Sequence, residues 1–388
     1  MNLIKTMCLS FAITAVTVAQ TIPAPPFTIT PYGLVQYRLR ANLTSQIDTA
    51  DIKSKQNLYT NQIGFYAGLK ATVGPQLKLQ FQIGNDWVTT ETITYKTNNN
   101  PNYSKKGLFP YFHLAFANWN PGPFALSFGK IPVESFGPLD LLERSIATNT
   151  YGSSGSIGGA SFYGWQTGTN GSLIAIKAEV PILKETTKLT VNLTYSIING
   201  DSSLNTPRGQ SLSPDPNSNP NEQLFILDVP IAIKSFTLIP QFYTVLNRNY
   251  NTTIEEGDNE YGAGLSAILK IDKVSLRAKG GFATFGNGNS RGTNPEYQQL
   301  GFIGGIGGSA PVGPGVADLE FIVSTDENTK VDDSRYVYPY LDVKYTYNPV
   351  KYLDIKPRLR LFITKYNETN TLEHRITSRP ELIFQANF

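Results

Sequence analysis

Residues 375–388 read RITSRPELIFQANF, and the alternation within this stretch decides the fold. One parity holds Ile376, Ser378, Pro380, Leu382, Phe384, Ala386 and Phe388. The other holds Thr377, Arg379, Glu381, Ile383, Gln385 and Asn387. Successive side chains of a strand point to opposite faces, so a period of two means that the two faces meet different media. The same pattern recurs back to about residue 28, which predicts an all-β antiparallel transmembrane barrel, apolar outside and polar within.

Working outward from this last strand, the chain divides into sixteen alternating segments. The first, about 28–43, sets Val35, Tyr37, Leu39, Ala41 and Leu43 against Gln36, Arg38, Arg40 and Asn42. The second, about 58–73, sets Ile63, Phe65, Ala67 and Leu69 outward, with Gln62, Tyr66 and Lys70 inward. Residues 188–197 are as regular, with Leu189, Val191, Leu193 and Tyr195 opposing Thr190, Asn192, Thr194 and Ser196. Connectors alternate too. Tight turns such as Gly74-Pro75, Asn120-Pro121-Gly122-Pro123 and Asp272-Lys273 follow every second strand, and long polar stretches follow the others. Short periplasmic turns and long extracellular loops are the pattern of bacterial outer-membrane barrels. Residues 160–169 also read as strand, and Asn170-Gly171 is a hairpin signal, which leaves eighteen strands open beside sixteen.

The start of the chain reads as a processing segment. Lys5 precedes a short apolar run at 7–18, and Thr17-Val18-Ala19 suits cleavage after Ala19. Residues 1–19 are thus expected to be removed, 20–27 to be a short periplasmic lead-in, and 28–388 to be the barrel. The single cysteine, Cys8, lies in the removed part, so no disulfide or thiolate site is expected. The formal net charge of +3 implies no nucleic-acid partner. No apolar run reaches the roughly eighteen residues of a spanning helix. The slightly negative mean hydropathy of -0.21 suits a barrel with a polar lumen.

With the processing segment, the sixteen segments and the terminal Phe388, the chain resembles the Gram-negative outer-membrane porins over its whole mature length. That resemblance implies an outer-membrane location among lipid and lipopolysaccharide, a homotrimer of the general-porin type, and passive diffusion of small hydrophilic solutes and ions. It also implies that Phe388 is read by the barrel-assembly machinery. After the strand ending Phe128-Gly129-Lys130 it implies an inward-folded constriction loop, whose acids would be Glu134, Asp140 and Glu143. The loop departs from the enterobacterial motif, so no finer correspondence carries over. No cofactor or metal is implied.

A wide barrel leaves an aqueous channel, and its selectivity follows the fixed charges along it. The inward parity of the last two strands and the first carries Lys356, Arg358, Arg360, Arg379, Arg38 and Arg40. Lys70, Lys78, Arg277 and Lys279 add inward positives elsewhere. Two readings stay open. Either this wall and the acidic loop set a transverse field with mild anion preference, or the arginines stiffen the wall by pairing with Asp354, Glu381 and loop acids. Tyr336, Tyr338 and Tyr340 share one inward parity, as a guide for sugars or as plain packing under a loop. A channel selective for phosphate, other anions or sugars is thus the alternative to a general one. An outer-membrane lipase or protease barrel is a further alternative; a lipid-hydrolysing barrel needs a Ser-His pair, and neither His113, read as inward, nor His374 has an evident partner. An adhesin barrel is the remaining alternative.

Overall fold

A computed structural model describes residues 26–48, 53–95, 101–104, 111–132, 172–184, 186–197, 223–248, 258–285, 299–328, 335–366 and 372–388. Every element among them is a strand. These are β1 (Phe27–Asp48), β2 (Lys53–Val73), β3 (Leu77–Tyr95), β4 (Pro101–Ser104), β5 (Tyr111–Trp119) and β6 (Ala125–Pro132). They continue as β7 (Ser172–Lys184), β8 (Thr187–Ile197), β9 (Gln223–Asp228), β10 (Ile231–Ile233), β11 (Phe236–Arg248) and β12 (Asp258–Ile271). The last are β13 (Val274–Phe285), β14 (Gln299–Val312), β15 (Gly315–Asn328), β16 (Arg335–Val350), β17 (Leu353–Tyr366) and β18 (Leu372–Asn387).

The segments form sixteen staves. β4 and β5 both pair with β3, so together they make one interrupted stave. β9 and β10 make another, broken where Pro230 lacks an N–H. Both halves lie between β8 and β11, and Val229 N and Pro230 O still bond to Pro240 and Thr190 at 2.9 and 3.1 Å. All neighbours are antiparallel, and β1 closes the ring by pairing with β2 on one side and β18 on the other. Closure leaves no unpaired edge, the condition for spanning lipid with strands.

The barrel is inside out relative to a soluble protein. On β1, Val35, Tyr37 and Leu39 are 48, 38 and 40% exposed, whereas the intervening Arg38 is 6% exposed. Gln62, Gln82, Asn192, Thr194, Ser196, Gln241 and Ser266 are buried in the same inward sense. Charged and amide side chains are rarely buried, and large apolar ones rarely left bare, when water lies outside. The outward apolar surface is one that lipid covers.

The seam depends on the terminal residue. Gly33 N donates to Phe388 O at 2.8 Å and Phe388 N donates back at 3.0 Å. A Cβ at Gly33 would lie 2.4 Å from the Phe388 ring and 2.7 Å from Tyr66 O, so the ring needs a glycine beneath it. Tyr32 covers Gly68 in the same manner on the inner face.

Expectations on boundaries and on one orientation need correction. Residues 44–57 and 88–107 read as connectors, but β1 runs on to Asp48, β2 starts at Lys53 and β3 reaches Tyr95. Segments such as Thr89-Thr90-Glu91-Thr92-Ile93-Thr94-Tyr95 favour strand through β-branched and aromatic residues. They lack alternation because they rise beyond the height at which one face meets lipid. His113 is the other case. Gln82 faces Leu114 and Ile83 faces Phe112, so the register skips His113, which sits on a bulge. The inward position read from simple alternation does not follow there. The processing segment, Glu134, Asp140, Glu143, residues 160–169 and the Asn170-Gly171 pair lie outside the described residues.

Candidate functional site

The inner faces of β16, β17, β18 and β1 form one continuous polar wall. Register places Lys344, Arg358, Glu381 and Arg40 in one row, and Asp342, Arg360 and Arg379 in the next. Five arginines, Arg38, Arg40, Arg358, Arg360 and Arg379, therefore converge from three staves. From Asn387 at the rim to Glu381 is about 20 Å along the strand at roughly 3.4 Å per residue. With strands tilted about 45°, that is about 14 Å in depth, near the middle of an apolar band about 25 Å tall.

Glu381 is the hub of the wall, and its side chain is fully buried. Arg360 Nη2 donates to its Oε1 at 2.5 Å. Arg38 lies 3.4 Å away, and Arg40 and Arg358 are each at 4.0 Å. Asp342 is the second acid. It accepts from Arg358 Nε at 2.8 Å and pairs with that guanidinium through Nη2 as well. Tyr340 OH donates to Asp342 at 2.8 Å and the Tyr340 ring packs 5.0 Å from that of Phe362. Neutral partners hold the remaining arginines in place. Arg38 Nε donates to Gln62 at 2.6 Å, and Arg379 Nε to Asn42 at 2.6 Å. Arg379 also stacks over Phe362, 4.7 Å from the ring centre.

Arg360 and Arg379 face each other directly across β17 and β18. Like charges in that relation repel, so the two carboxylates and the Phe362 ring offset a cost inherent in the wall. Arg38, Arg360 and Arg379 are buried in the wall, and only Arg40 and Arg358 are partly open, so the guanidiniums are held at fixed positions with more positive than negative charge. Lower on the same wall, Lys356 pairs with Asp354 at 2.8 Å and bonds Gln385 at 2.8 Å.

The other expected cations are placed differently. Arg277 Nη2 meets both oxygens of Asp318 at 3.0 Å, and Lys279 lies 3.7 Å from Glu320. These partners are not on the adjacent stave. β14 stands between, and its inward positions there are Gly305 and Gly307. Without side chains at Gly305 and Gly307, Arg277 and Lys279 reach across β14 to β15. Lys70 and Lys78 lie near the turn that joins β2 to β3, across β1 from the arginines of β17 and β18. Among the expected aromatic guides, Tyr340 is packed into the wall at 2% exposure. The side chains of Tyr336 and Tyr338 lie outside the described residues.

Comparison with solved structures matches this architecture over nearly the whole chain. OmpT, an outer-membrane protein of Vibrio cholerae, superposes with a TM-score of 0.54 at 10% identity, covering 93% of this chain and 99% of that one. An anion-selective porin from Comamonas acidovorans gives 0.51 at 12% identity, covering 94% and 100%. Salmonella typhi OmpF gives 0.50 at 13% identity, covering 92% and 97%. No family model matches the sequence, and no curated protein does.

The chain has the outer-membrane porin fold.

Within that porin fold, sequence reasoning found the arginines but missed Asp342, Asp318 and Glu320. All three share the inward parity of their strands, and that parity was the available signal. It also missed that the run Gly304-Gly305-Ile306-Gly307-Gly308 opens a gap which two basic side chains span. Among the described residues no cluster of His, Cys, Asp and Glu could hold a metal ion.

Proposed function

We propose that this chain is an outer-membrane porin, a water-filled channel for passive diffusion of small hydrophilic solutes and ions, with a mild preference for anions. The observation that carries this reading is the wall at mid-depth, where five arginines converge on Glu381 and Asp342. Fixed charges in the wall around a narrow aqueous path, even those buried within it, raise the local concentration of the opposite ion. Three positive charges remain after both acids are counted, so the local field favours anions. The similar fold of an anion-selective porin from Comamonas acidovorans fits this reading.

The constriction belongs to the same proposal. Leu224, Ile226 and Tyr243 face inward on β9 and β11, yet each is at most 1% exposed. Apolar groups facing a wet lumen would be open to water unless covered. An inward fold of the loop after β6, carrying Glu134, Asp140 and Glu143, would cover that sector and set acids opposite the arginines. The assembly is a homotrimer by likeness to the trimer form of OmpT. Cleavage after Ala19, insertion by the barrel-assembly machinery through Phe388, and contact with lipid and lipopolysaccharide complete the reading. No chemical step is assigned to the chain.

The test is single-channel recording in a planar bilayer. Equal conductance steps in groups of three, with a reversal potential on the anion side, are expected. Silent bilayers from correctly folded protein would overturn the channel reading. Saturable block by one phosphate or sugar would replace it with a substrate-selective channel.

A further inference from the structure

A second basic feature lies apart from the arginine wall. It is a recess of about 370 Å³ whose lining includes lumen-side residues of β2, β3, β5, β6 and β7. One register row crosses it. Lys78 faces Asn118, Asn118 faces Ser127, and Ser127 faces Lys177. The two lysines stand about 14 Å apart at the backbone, three strand spacings of roughly 4.8 Å. Between them Asn118 Nδ2 donates to Ser127 Oγ at 2.8 Å. The serine accepts in that bond, which leaves its own proton to donate into the recess, beside the second amide proton of Asn118.

Lys70 completes the set. It lies diagonal to Lys78, since Lys70 faces Gln80 while Thr72 faces Lys78. Its ammonium sits 4.9 Å from the centre of the Tyr32 ring, and Gln80 Nε2 donates to Tyr32 OH at 2.8 Å. Among the described residues the lining holds one acid, Glu179, which pairs with Lys177 at 3.3 Å. Among the described residues, three lysines against one glutamate leave two positive charges. Lys70 and Lys78 are exposed to the lumen, near the β2–β3 turn.

We propose that this recess binds a small dianion. Two excess charges match two negative charges. The amide and hydroxyl donors between Lys78 and Lys177 suit the oxygens of a carboxylate or an oxyanion. A monoanion would leave one charge uncompensated. The site rests on the channel reading only for the route by which the dianion arrives.

The test is calorimetric titration of succinate, sulfate and acetate into the folded, detergent-solubilised chain. Heat-modifiable electrophoretic mobility confirms folding of each variant. One dianion per chain is expected. The double variant Lys78→Gln, Lys177→Gln should lose about tenfold or more in affinity, as removal of close charges implies. Lys273→Gln, which removes a charge at a different turn, should bind as the parent does. Tighter succinate assigns the site to dicarboxylates, and tighter sulfate assigns it to compact oxyanions. Unchanged binding in the double variant, acetate binding as tight as either dianion, or no binding by folded protein would overturn the proposal. Folded chain that binds a dianion but passes no current would sink the channel reading and leave the recess standing.

Discussion

The arginine wall on β16, β17, β18 and β1 and the sector of β13 to β15 use the same residue types to opposite ends. In the sector each cation has its own acid, Arg277 with Asp318 and Lys279 with Glu320, across a stave of glycines. Its charge closes locally. In the wall, Arg38, Arg40, Arg358 and Arg360 all lie within 4.0 Å of the single carboxylate of Glu381. Its charge cannot close. Composition alone does not separate the two, because register determines how many acids each cation can reach.

The largest effect should come from Glu381→Gln. It removes the shared acid from a buried cluster of like charges, and loss of one partner in such a cluster costs about 3 kcal/mol or more. Denaturant unfolding should show that loss, with anion selectivity of the surviving channels increased. The matched change in the sector, Glu320→Gln, strips one acid from one lysine and should cost less. Equal losses would break the contrast between shared and private acids.

The seam comes next. Gly33→Val would drive a side chain into the Phe388 ring and Tyr66 O. Overpacking of this kind costs about 1–3 kcal/mol, and the yield of folded barrel should fall in a heat-modifiability assay. Phe388→Ala should lower the yield as well, and the pair Gly33→Val with Phe388→Ala should recover part of it if the clash is the cause.

Arg379→Gln removes one positive charge from the wall and should lower the anion-to-cation permeability ratio severalfold. The double change Arg277→Gln, Asp318→Asn removes a neutral pair and should leave the ratio unchanged. The smallest effect should be Tyr32→Phe, which loses the Gln80 hydrogen bond, worth about 1 kcal/mol. Thermal unfolding would resolve it.

Much of this was legible in the sequence, and the limits have physical causes. Alternation marked every stave at the height where one face meets lipid, so Val35 to Leu43 and Ile376 to Phe388 could be oriented without a structure. Above that height alternation fades in the sequence, and the extensions of β1, β2 and β3 were read as connectors. The bulge at His113 was hidden because one extra residue leaves no mark in composition. Parity named the arginines, since it tells which face a residue occupies. It could not tell that Arg277 reaches across Gly307 to Asp318, because that depends on the register of three staves together.

The proposed ion preference rests on the wall's unclosed charge. The most direct measurement is the reversal potential across a KCl gradient, for the parent and for Arg379→Gln. Anion preference is expected in the parent, with a shift toward cations in the variant. Cation preference in the parent, or a potential that ignores the substitution, would contradict it.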